Sequence, residues 1–80
     1  LATVVFSSEQ QKLTGESRTK VESRDYRALI QELLAHYPSL DPAEMREMAI
    51  AIDGVIIHDP MLETFDKDAE IHFLHFVAGG

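Results

Sequence analysis

The chain has 80 residues, 45% of them apolar and 26% charged, with a net charge of −7 and no cysteine. A chain of this length makes one domain with a modest core, burying only about 60% of its unfolded surface, and its ordinary composition excludes disorder and low complexity. Disulfides and thiolate zinc sites are excluded, no apolar run approaches the roughly 18 residues of a membrane span, and the negative charge weighs against a nucleic-acid partner.

In chain order, residues 1–7 alternate, with Ala2, Val4 and Phe6 on one face, and predict a strand. Residues 8–15 are polar and end in Gly15, which predicts a loop or a short helical turn. Residues 17–22 predict a weak strand with Thr19 and Val21 on one face and Arg18 and Lys20 on the other. Tyr26, Leu29, Ile30, Leu33, Leu34 and Tyr37 then recur at helical spacing as one apolar stripe. Ser23 is the predicted N-cap of that helix, and Pro38 stops it. A helix with a single apolar stripe needs a single sheet face to lie on.

Asp41-Pro42 marks the start of a second, short helix, the Asp as cap and the Pro at the first helical position. Residues 48–52 predict a strand with Met48, Ile50 and Ile52 inward, and Asp53-Gly54 is a hairpin turn signal that returns residues 55–57. Asp66 and Asp68 around Lys67 read as turn formers before the last strand, residues 70–77. On that strand Ile71, Phe73 and Val77 share one face, while His72, Leu74 and Phe76 share the other. Two strands, a long helix and further strands make an α+β pattern in which the helix crosses one face of a mixed sheet.

Charge is unevenly placed. Residues 1–27 hold four acids and five bases, whereas residues 28–80 hold ten acids against Arg46 and Lys67 alone. Such a surface favours a basic protein partner or serves solubility alone. The four histidines show no chelating pattern, because His72 and His75 are an odd number apart on a strand and point to opposite faces. No metal site is expected, and no phosphate loop or nucleophile–base spacing marks an active site of the chain's own.

The terminal Gly79-Gly80 is the least ordinary feature. An apolar strand runs directly into Val77-Ala78-Gly79-Gly80, so a carboxylate is expected to project from the sheet edge on a flexible leader, residues 78–80. Glycine has no Cβ, so such a leader can enter a narrow channel. A carboxylate is a poor electrophile and needs a leaving group, which a nucleotide-consuming partner supplies as an acyl-adenylate. A partner's active site that excludes water would protect that intermediate.

Several segments together carry a resemblance over the whole chain. They are Phe6 in the opening strand, Leu13-Thr14-Gly15, Ala51-Ile52-Asp53-Gly54-Val55, Pro60-Met61-Leu62, Asp66-Lys67-Asp68-Ala69-Glu70-Ile71 and the Val77-Ala78-Gly79-Gly80 ending. The sequence resembles the small subunit of molybdopterin synthase (MoaD-like) and, more loosely, the thiamine-pathway carriers (ThiS-like), which are ubiquitin-like sulfur carriers. The resemblance implies a single β-grasp domain over residues 1–80, a sheet of four or five strands with one main helix on one face.

It also implies that Gly80 is adenylated and then converted to a thiocarboxylate, with Ala78 and Gly79 lining the tail. Leu62 and Leu74 would lie on the partner-docking surface, joined there by Phe76 and Val77. The implied partners are a ubiquitin-activating-like adenylyltransferase (MoeB/ThiF-like), a sulfur donor protein and the synthase large subunit (MoaE-like). Neither nucleic acid nor membrane is among them. The chain needs no cofactor of its own, ATP being consumed by the activating partner, and a cytoplasmic location is the default.

Where the family carries two prolines before the tail valine, this chain has His75-Phe76. Ser7 stands for a second aromatic after Phe6, and Lys67 for a glycine in the last turn. These departures alter the docking surface and leave the tail chemistry intact. Three roles stay open: a sulfur carrier, with the molybdopterin branch fitting best by length and Leu13-Thr14-Gly15; a modifier whose activated glycine is captured by lysine; and an interaction module with an inert tail. Leu74 and Phe76 either meet a partner or are covered by the segment around Met61 and Leu62.

Overall fold

The computed structural model describes residues 1–75. The elements are β1 (Ala2–Val5), α1 (Ser8–Thr14), β2 (Arg18–Val21), α2 (Tyr26–His36), α3 (Pro42–Glu47), β3 (Ala49–Ile52), β4 (Val55–Ile57) and β5 (Glu70–Leu74). The strands form one mixed sheet in the order β2-β1-β5-β3-β4. β1 and β5 run parallel, and every other neighbouring pair is antiparallel. α2 lies across one face, as its single apolar stripe requires.

Alternation sorts the sheet into two faces. Ala2, Val4, Phe6, Val21, Ile50, Ile71 and Phe73 are buried, and they meet Tyr26, Leu29, Ile30 and Leu33 of α2 in one core. Met45 and Met48 of the α3 region and Phe65 of the β4–β5 connection close its ends. The described core runs from Ala2 to Phe73.

Three local features refine or depart from the sequence reading. Residues 8–14 are a helix, the second of the two alternatives open for this segment. Its end is set by a capping box in which the Ser7 hydroxyl accepts from the Gln10 N–H at 3.2 Å while Gln10 Oε1 accepts from the Ser7 N–H at 2.9 Å. Gly15, at φ +76°, closes the other end in the left-handed region.

The N-cap of α2 is Asp25, which accepts from the Ala28 N–H at 2.9 Å, and not Ser23. Ser23 instead donates to Glu32, whose carboxylate also accepts the backbone N–H groups of Glu22 and Ser23 at 3.0–3.1 Å. Glu32 thus satisfies the chain where β2 ends. Finally, Met48 caps α3 and packs into the core, and the third strand starts one residue later than predicted.

The predicted turn at Asp53-Gly54 is present, with both residues at positive φ (49° and 87°), the geometry a two-residue hairpin favours. Asp53 also exchanges bonds with Glu70. Its N–H donates to the Glu70 carbonyl and its Oδ1 accepts from the Glu70 N–H, each at 2.9 Å. Before β5, the Ala69 N–H donates to the Asp66 carbonyl at 3.1 Å, a turn at the predicted place. The Tyr37 ring meets Phe6 edge-on at 5.4 Å, and its hydroxyl donates to Glu16, tying the end of α2 to the α1–β2 corner. Burial, and then the Glu16 carboxylate, hold that phenol above the usual tyrosine range.

Candidate functional site

The strand leading to the C-terminal glycines is the central one. β5 pairs with β1 on one flank, through Glu70, Ile71 and His72, and with β3 on the other, through Ile71 to Leu74. Its helix-facing side chains, Ile71 and Phe73, are 0% and 2% exposed. Two ladders and a core therefore fix the end of β5, which lies in the middle of the sheet and not at its flank.

At that point stands His75. Its Nε2 lies 3.5 Å from Glu9 Oε2 and 3.9 Å from Glu44 Oε1, each carboxylate in the first turn of its helix. The two helix starts thus bracket the root of the tail with negative charge, and a protonated imidazole would pair with both. These three residues each offer a ligand atom within 4.8 Å of the others, all of them exposed. Exposed acidic groups commonly lie this close together without an ion. Sequence spacing gives no hint of the grouping, which arises only when β5 passes between α1 and α3.

The sheet face opposite α2 carries the second feature. Register aligns Arg18, Val5, His72, Ala51 and Ile56 in one row across all five strands, and places Leu74 opposite Ala49. Leu74 faces away from the helix, as predicted, and is half-buried. Ala49 and Ala51 on this face are nonetheless buried, at 4% and 7% exposed, while the neighbouring Ile56 is 56% exposed. His72 is held on this face by Glu70, at 2.8 Å. Val5, Ala51 and Ile56 belong to this surface, yet the alternation of single strands does not reveal them, because strand order decides which positions become neighbours.

Leu62 is 87% exposed. Its segment is tied to the start of α2: Glu63 O accepts from the Tyr26 N–H, Phe65 N–H donates to Arg24 O, and Thr64 bridges to Asp25. Met61 lines a cleft beside Tyr26 and Ile30. This segment does not lie over Leu74. Phe76, Val77, Ala78, Gly79 and Gly80 fall outside the described residues.

A family model described as the ThiS family matches residues 4–80, which includes the terminal glycines. The chain belongs to the ThiS family. The fold of this ThiS-family protein is also found in solved structures. Small archaeal modifier protein 1 from Methanosarcina acetivorans superposes with a TM-score of 0.80 at 17% identity, over 99% of this chain and 95% of that one. Small archaeal modifier protein 1 from Haloferax volcanii gives 0.71 at 13% identity, over 99% and 98%. The Haloferax volcanii HVO 2177 protein gives 0.71 at 16% identity, over 99% and 85%. No curated protein matches the sequence. The ThiS-family protein thus has the β-grasp fold expected of it, with five strands and, among the described residues, two short helices beside the main one.

Proposed function

We propose that this ThiS-family protein is a sulfur carrier, and that its place is the small subunit of molybdopterin synthase. The observation that carries the reading is the family match running through Gly80 on a chain whose central strand leads to that residue. In this reading a Gly80 carboxylate oxygen attacks the α-phosphorus of ATP in an adenylyltransferase partner and releases pyrophosphate. Hydrosulfide supplied by a donor protein then attacks the acyl carbon and displaces AMP, leaving a thiocarboxylate and a proton. The domain supplies a rigid base and no catalytic group of its own. Ala78 and Gly79 would lie in the partner's channel, and Leu74 would dock against the partner with Phe76 and Val77. Leu62 would provide a second contact beyond the sheet face.

Intact mass spectrometry of the protein, incubated with its activating enzyme, ATP and a sulfur donor, tests the proposal. The expected result is the mass gain of one oxygen-to-sulfur exchange, mapped to Gly80. An unchanged mass under conditions that convert a known carrier would reject it.

A second reading is favoured by the likeness to two structures named as modifier proteins. The same activated glycine would be captured by a lysine amine of another protein, with AMP leaving. Its mark is a ladder of higher-mass conjugates in cells that disappears when Gly80 is deleted.

A further inference from the structure

Arg27 and Arg46 meet at a cleft of about 210 Å³ lined with them by Tyr26, Ile30, Gln31 and Met61. The floor is apolar and fixed, since Tyr26 is 2% and Ile30 6% exposed. Met61, 45% exposed, forms a pliable wall. The Tyr26 hydroxyl donates to the Met45 carbonyl at 3.4 Å, which holds the buried ring at the base of the cleft. No lining residue belongs to β5 or to the sheet face opposite α2.

The two guanidiniums are the unusual part. Arg46 is one of only two bases against ten acids in residues 28–80. Among the described residues neither the Arg27 nor the Arg46 side chain makes a hydrogen bond or ion pair. Arg46 does act on the cleft. Burial pushes the Tyr26 phenol above its ordinary range, and the Arg46 cation offsets part of that rise. Its charge is therefore felt at the floor.

We infer that this cleft is a docking site for an acidic peptide segment of a partner protein, which seats one apolar side chain on Tyr26, Ile30 and Met61. Its flanking carboxylates would meet Arg27 and Arg46. Arginine's planar fork suits carboxylates, and an unpaired pair of them around an apolar floor matches a ligand that is anionic and greasy at once. A densely charged polyanion fits poorly, because the net charge of −7 repels it everywhere but here. The volume suits one side chain, which makes the segment short. Because its lining residues lie on α2, α3 and the segment after β4 and not on β5, a partner could hold the domain here while it engages Gly80.

The test is a titration of the full-length isotopically labelled protein, followed through its backbone amide resonances. The probe is a capped pentapeptide with one leucine between two pairs of glutamates. Controls are the same peptide with alanine for leucine, a leucine flanked by lysines, and inorganic phosphate. Shifts should appear at Tyr26–Gln31, Arg46 and Met61 and weaken with the alanine peptide. The double variant Arg27→Glu with Arg46→Glu should lose about tenfold or more in affinity with its thermal midpoint preserved, while Arg27→Lys with Arg46→Lys retains part of the binding. The inference is overturned by an absence of shifts at millimolar peptide, by equal shifts with the lysine peptide, by phosphate alone reproducing them, or by undiminished binding to the charge-reversed variant. None of these outcomes depends on thiocarboxylate formation at Gly80.

Discussion

Glu32 shows how one side chain can replace a stretch of backbone pairing. Burial alone would raise its pKa, but the Ser23 hydroxyl and the N–H groups of Glu22 and Ser23 outweigh that and hold the carboxyl below its usual value, with His36 adding to the effect. A carboxyl depressed in the folded state contributes stability that is fully present above its unfolded pKa and is lost as pH falls through the folded one. Glu32→Gln should therefore cost about 1 kcal/mol at neutral pH. Urea titrations of both proteins should show that gap closing in acid, where wild-type Glu32 is itself protonated. The core behaves differently. Leu33 is 1% exposed between α2 and the sheet, so Leu33→Ala should lower unfolding free energy by about 2–5 kcal/mol at any pH, read from the same titrations. Leu33 was legible from spacing alone. The role of Glu32 was not, since its partners lie nine and ten residues away and meet it only when α2 lies down beside β2.

Elements whose signal is internal were read correctly from the sequence. The stripe of α2, the Asp41-Pro42 start of α3 and the Asp53-Gly54 hairpin each depend on residues within one or two turns of each other. The short helix α1 was legible only as one of two alternatives because it has little apolar periodicity. Its determinant is the reciprocal Ser7–Gln10 box, a polar signal easily taken for a loop. Ser7→Ala should therefore destabilise the domain by about 1 kcal/mol, measured by thermal unfolding. The same serine stands where the family more often has an aromatic, so this departure has a local structural role. Ser23 was misassigned as a cap because Ser and Asp carry equivalent signals two residues apart, and only the tertiary partner Glu32 separates them.

Across the whole molecule, the sequence made the tail visible and left its surroundings obscure. The Glu9–His75–Glu44 grouping and the Val5–His72–Ala51–Ile56 row are both products of tertiary arrangement, which no single segment encodes. If the proposed carrier role holds, deleting Gly80 should abolish sulfur transfer while the thermal midpoint stays within a degree or so, because the described core ends at Phe73. Leu74→Asp should instead keep the carboxylate and weaken partner binding, measured by calorimetry with the activating enzyme. The two variants together separate the reacting end from the surface that presents it.

The placement of β5 between β1 and β3 also has a mechanical meaning. Any traction exerted on the chain end by a protein drawing it inward enters the domain through a strand gripped on both flanks. That load is shared in shear by a parallel and an antiparallel ladder, an arrangement in which many bonds must yield at once. Such a strand resists being peeled away one bond at a time.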